Sequence, residues 1–144
     1  MKKKSYPVIY SGQKQGFAKA LIAGDFVFCS GTSGRLVDTG NVRENNAATQ
    51  TVDALDKIRM ALEEAGTSFD KIIKIIFYIK NIMKNGEAIM GKYEEYVQKF
   101  APSLAVEVPA ITVIGVDSLF GKSLLVEIEV TAIILMESNR ESKR

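Results

Sequence analysis

The stretch that most limits what this chain can become is LLVEIEVTAIILM, residues 124–136. It is apolar enough for a buried strand, yet it carries Glu127 and Glu129. Side chains alternate across a strand, so residues two apart share a face. One face would be wholly apolar, with Val126, Ile128, Val130 and Ala132 at its centre. The other would hold Leu125, Glu127, Glu129 and Thr131. The first face can pack under helices, but the second needs somewhere for two charges to go. An unpaired buried carboxylate is costly, so such groups are solvated, paired or protonated. Periodicity leaves two readings open: a pocket acid or base, or glutamates on a wet or interface-facing sheet surface.

The length, 144 residues, suits one domain over 1–144, with residues 1–6 and 137–144 expected as flexible tails. With 47% hydrophobic and 25% charged residues the chain can build a core, which argues against disorder. A net charge of +2 is too balanced to imply nucleic acid as a partner. The chain has no histidine, which removes histidine bases, metal ligands and pH switches together. The lone cysteine, Cys29, excludes an intrachain disulfide and a cysteine zinc cluster, and reads as a small buried residue. No metal site is expected. No signal peptide and no apolar run of bilayer length is visible, so a cytoplasmic protein without a membrane partner is expected.

Strand and helix signals alternate along the rest. A short strand is possible near residues 8–10. Gly24-Asp25 between apolar runs at 17–22 and 26–29 marks a hairpin. The small residues Ser30-Gly31-Thr32-Ser33-Gly34 read as a loop leaving a strand, or as backbone N–H groups near a ligand anion. Asn45 or Asn46 can cap a helix reaching Ala65, with Val52, Leu55, Ile58 and Leu62 in its stripe. Lys57 falls off that stripe and is expected in water, and Gly66 suits the helix end. FDKIIKIIFYIK at 69–80 reads as a strand, and a second helix is expected after Gly86, stopped by Pro102. Residues 105–116 read as a strand that Pro109 confines to an edge, a start or a bulge. The order β-β-α-β-α-β-β predicts an α+β fold with two helices on one face of a mixed sheet. The other face then needs cover, which a symmetric oligomer can supply.

These segments together resemble the RidA/YjgF family of reactive-intermediate deaminases, also labelled endoribonuclease L-PSP. The resemblance rests on Val108-Pro109-Ala110-Ile111-Thr112 followed by Leu125-Val126-Glu127-Ile128-Glu129. Upstream, Gly16-Phe17-Ala18, Phe28-Cys29-Ser30-Gly31, the helix ending Ala65-Gly66 and Phe77-Tyr78-Ile79 follow in the family's order. The resemblance implies a chorismate-mutase-like fold, a homotrimer built round a central barrel, and small-molecule clefts between subunits. It implies hydrolysis of imines or enamines without metal or cofactor. Glu127 would handle a proton, and Phe17, Ser30, Gly31, Ile111, Thr112 and Met90 would line the substrate site.

Several of those positions depart from the family's pattern. Ile111 stands where the family has a carboxylate-holding arginine, Phe17 replaces a tyrosine, Val113 a cysteine and Met90 an asparagine. The expected pocket is therefore more apolar, and hydrolysis of amino-acid imines is expected to be weak or lost. Arg35 is the nearest candidate for a replacement anchor, its alternative being a solvated loop charge. A non-catalytic trimeric ligand-binding protein is the competing function. An endoribonuclease or translation-inhibitor role fits the charge balance poorly.

Overall fold

A computed structural model describes residues 2–134 and shows two helices packed on a six-stranded sheet. In chain order the strands are β1 (Lys3–Tyr10), β2 (Gln13–Ala23) and β3 (Phe26–Ser33). Helix α1 (Ala47–Ala65), strand β4 (Ile72–Lys80) and helix α2 (Ile82–Phe100) follow. Strands β5 (Ala110–Val116) and β6 (Val126–Ile133) complete the fold. The sheet order is β1-β2-β3-β6-β4-β5, with β4 and β5 parallel and every other pair antiparallel. The last strand is thus inserted between the two halves of the chain.

Alternation on β6 is as its sequence predicts. Val126, Ile128, Val130 and Ala132 are buried beneath the helices, and Glu127, Glu129, Thr131 and Ile133 are half-buried on the opposite face. That opposite face also carries Phe26 and Phe28 from β3, beside Ile133 and Thr131, and Ile114 from β5, beside Tyr78. All three are substantially exposed. On β4, Ile75, Phe77 and Ile79 share the buried face. A bulge between Ile72 and Lys74 then turns Ile72 inward and Ile73 outward, the reverse of strict alternation.

Helix α1 begins where its cap predicts. The Asn46 side chain accepts from the Thr49 amide at 2.9 Å, satisfying one of the free donors of the first turn. Gly66 closes the helix at φ 94°, a left-handed conformation glycine adopts without steric cost. Asn46→Ala is expected to cost about 1 kcal/mol, read as a lower denaturation midpoint with unchanged slope.

Four boundaries correct the sequence reading. The N-terminal segment expected as a tail forms strand from Lys3 onward, pairing Lys4 with Ile22 and Tyr6 with Ala20. Its lysines suit an outermost strand, where charge discourages further pairing. Residues 30–33, expected as a loop, continue β3 through a register shift between Cys29 and Thr32. Helix α2 starts at Ile82 rather than after Gly86, because Asn81 turns the chain at φ 55° and the Asn85 side chain donates to the Lys80 carbonyl at 2.8 Å. The strand expected from 105 begins at Ala110, directly after Pro109; α2 ends at Phe100, ahead of Pro102 as expected, and residues 102–105 form a 3-10 turn (Pro102–Ala105). The tail expected at 137–144 lies outside the described residues. Cys29 is buried, and burial pushes its thiol up to about 12. No helix among the described residues is long and apolar enough to cross a membrane.

Candidate functional site

Glu127 sits near the start of β6, opposite Ser33 on β3 and Tyr78 on β4. The register shift in β3 places Gly31 against it. A methyl group at position 31 would lie 2.8 Å from Glu127 Oε1 and 2.9 Å from its Cδ. Glycine is therefore what lets the carboxylate lie against the backbone. The neighbouring Ser30 carbonyl accepts from the Thr32 hydroxyl at 2.8 Å, which tightens the bulge.

This carboxylate faces a cavity of about 660 Å³. Strands β1 and β2 contribute Ile9 and Phe17, α1 contributes Met60 and Ala61, and the loops contribute Val37 and Phe120. The walls are therefore largely apolar, as expected of a site that holds the body of a small organic molecule. Phe17 is 49% exposed and Phe120 97% exposed, so both rings stand at the open side of the cavity. At the rim, Lys19 of β2 pairs with Glu64 of α1 at 2.6 Å.

Charge gathers at the Glu127 end. Arg35 lines the cavity, and its Nη2 donates to the Phe120 carbonyl at 2.8 Å, fastening the loop before β6. Lys57 also lines the cavity, and its Nζ donates to the Arg35 carbonyl at 2.8 Å. Burial raises the proton affinity of Glu127, Arg35 and Lys57 oppose that shift, and Glu129 adds to it. Burial chiefly, and the Arg35 charge after it, pulls Lys57 down to about 8, with Asp53 and Glu127 pulling the other way. Glu129 is separated from this group in role: it accepts from the Tyr78 hydroxyl at 3.2 Å on the open sheet face.

Within one chain the structure brings Glu127, Phe17, Ser30, Gly31 and Arg35 to one cavity. It does not bring Ile111, Thr112 or Met90 there. Strand β5 is not the neighbour of β6, because β4 lies between them. Ile111 pairs with the buried Ile75 and so belongs to the helix side of the sheet, half-exposed at its edge. The Thr112 hydroxyl accepts from Lys74 Nζ at 3.0 Å on the open face. Met90 packs from α2 against the core. Lys57 is the residue the sequence reading missed. The signal was its spacing, three after Ala54 and four before Ala61, both buried in the α1 stripe. Among the described residues no cluster of three or more metal-ligating side chains occurs.

Comparison with known proteins agrees with this architecture. The family model described as endoribonuclease L-PSP matches residues 11–134. A RutC family protein of Pyrococcus horikoshii is 33% identical over 118 residues, covering 81% of this chain and 85% of the relative. Its counterpart in Pyrococcus abyssi is 30% identical over 118 residues, with 81% and 84% covered. Among solved structures, the Rid-family protein YyfA of Yersinia pestis superposes with a TM-score of 0.76 at 28% identity, covering 92% of this chain and all of the other.

Proposed function

This chain belongs to the RidA/YjgF family, the family of the endoribonuclease L-PSP model, and on that premise we propose that it hydrolyses small imines or enamines with apolar substituents, using Glu127 as the proton-transferring group. The observation that carries this reading is a carboxylate of raised proton affinity, laid against Gly31 at the charged end of an apolar cavity. A protonated Glu127 can give its proton to the imine nitrogen, making the carbon electrophilic. The resulting carboxylate can take a proton from the attacking water. Collapse of the carbinolamine then releases the amine and a carbonyl compound.

The apolar substrate preference follows from the apolar cavity walls and Phe17 within one chain, and from Ile111 in place of the family arginine. In this reading three copies cover the open sheet faces that carry Phe26, Phe28 and Ile114, and a neighbour's β5 edge brings Ile111 toward the cavity. The same isoleucine favours a second reading, a trimeric ligand-binding protein without catalysis. The near-neutral charge and the absence of histidine support neither RNA binding nor RNA cleavage.

Two imines generated in situ separate these readings: 2-aminoacrylate, and the imine that a flavin amine oxidase makes from benzylamine. Carbonyl release from the benzylamine imine is expected to accelerate, and release from 2-aminoacrylate to change little. Acceleration of neither, with benzaldehyde still raising the thermal midpoint, would leave binding without catalysis. Neither acceleration nor a shift would overturn both readings. Native mass spectrometry giving a monomer would overturn the trimer.

A further inference from the structure

We infer that Lys57 is a carbonyl-capturing amine, which condenses reversibly with an apolar aldehyde or ketone held in the cavity to form a Schiff base. The inference rests on the cavity being a ligand site and adds to it a covalent step that imine hydrolysis does not require. Lys57 reaches the cavity from α1, and its Nζ is fixed by one hydrogen bond to the Arg35 carbonyl. In the neutral amine that bond engages one N–H and leaves the lone pair free. Two features of its surroundings lower the proton affinity of the lysine amine and enlarge its neutral, nucleophilic fraction: burial, and a second cation, here Arg35. Glu127 stands at the same end of the cavity as the group able to relay protons.

The step balances without an oxidant or reductant. The Lys57 lone pair attacks the carbonyl carbon, and the carbonyl electron pair moves to oxygen, which takes a proton from Glu127. A C–N bond has formed. The Glu127 carboxylate then removes a proton from nitrogen and returns it to the hydroxyl, which leaves as water as the C–O bond breaks. The remaining amine hydrogen passes from the iminium nitrogen to the Glu127 carboxylate, which regenerates the acid and leaves the neutral imine. The other charges facing Lys57 are Asp53 on α1 and Glu127 on β6, both of which favour the ammonium, and Arg35, which disfavours it. Lys19, Glu63 and Glu64 also line the cavity.

Incubating the full chain with hexanal and sodium cyanoborohydride, then mapping modified lysines by peptide mass spectrometry, tests this. Lys57 is expected to gain one hexyl group roughly tenfold faster than the other lysines at pH 7. Its rate should rise with a midpoint near 8 rather than in the ordinary lysine range. Lys57→Arg keeps the charge and should lose the preferred adduct. Labelling spread evenly over the lysines, or an adduct that persists elsewhere in Lys57→Arg at the same rate, would overturn the assignment. Hexanol, which cannot condense, separates the two levels of the reading. If hexanol raises the thermal midpoint while Lys57 is not selectively trapped, only the covalent step falls. If neither compound binds, the ligand cavity falls with it.

Discussion

Glu127→Gln is expected to slow hydrolysis of the benzylamine imine by about 10²–10⁴-fold, the usual contribution of a positioned acid or base. The amide keeps the shape of the side chain and removes its titration, so the fold should survive. The pH dependence of stability supplies an independent check. Burial raises the proton affinity of Glu127 in the native state. A raised native value means that this carboxyl favours folding below the ordinary glutamate range, and the contribution is lost as pH rises through the native value. Glutamine does not titrate, so the thermal midpoint of Glu127→Gln should gain on the parent between acid and neutral pH. A gain that is the same at both ends would argue against burial as the cause. Gly31→Ala probes the same atom from the other side. The atoms its methyl would meet, Oε1, Cδ and Cγ, lie in the flexible part of Glu127. The carboxylate should move and the fold persist, with a rate loss of about tenfold or more and little change in midpoint.

Gln50→Leu is expected to destabilise the protein by about 2–4 kcal/mol, a fall in midpoint of roughly 6–15 °C for a chain of this size. Gln50 is fully buried in α1 and ties the loop before its own helix to the segment that leads into β6. Its amide donates to the Ser123 carbonyl at 2.9 Å and the Glu44 carbonyl at 3.2 Å, and its oxygen accepts from the Leu125 amide at 2.9 Å. Leucine fills a similar volume and can satisfy none of them. Water can reach Ser123 and Glu44, which are exposed, so the estimate stays below the full cost of three orphaned groups. The strand carrying Glu127 begins at this clip, so a weaker response to cavity ligands should accompany the lower midpoint. A loss below about 0.5 kcal/mol would place Gln50 among ordinary surface residues.

The elements whose chemistry is local were the legible ones. Residues 126–133 alternate cleanly because one face is wholly apolar. Helix α1 announces both ends, through Asn46 and Gly66; Leu55, Ile58 and Leu62 of its expected stripe are buried, whereas Val52 is half-buried and Ala54 and Ala61 face the core instead. The strand at residues 30–33 was hidden because small polar residues and a glycine carry little β-propensity, and tertiary pairing with β6 overrides them. The extended N-terminus was hidden for a related reason, since Lys3 and Lys4 gain order only from pairing with β2. At the site, the carboxylate and the glycine beside it were readable from their motif. Lys57 carried only the hint of its spacing along α1, because how far it is buried depends on how α1 crosses β3 and β6. The cavity itself is a product of that crossing and leaves no mark in a single segment.

The central place of β6 has a consequence for how the molecule comes into being. Synthesis delivers β1, β2 and β3 with α1 first, then β4, α2 and β5. Until residues 126–133 emerge, these form two part-sheets, and β3 and β4 have no partner between them. Two unpaired strand edges, one of them rich in isoleucine, are exposed to pairing with other chains during that interval. Closure must wait for β6, the strand that also carries Glu127. A chain that has not yet made β6 therefore has neither a complete sheet nor the carboxylate that lines its cavity.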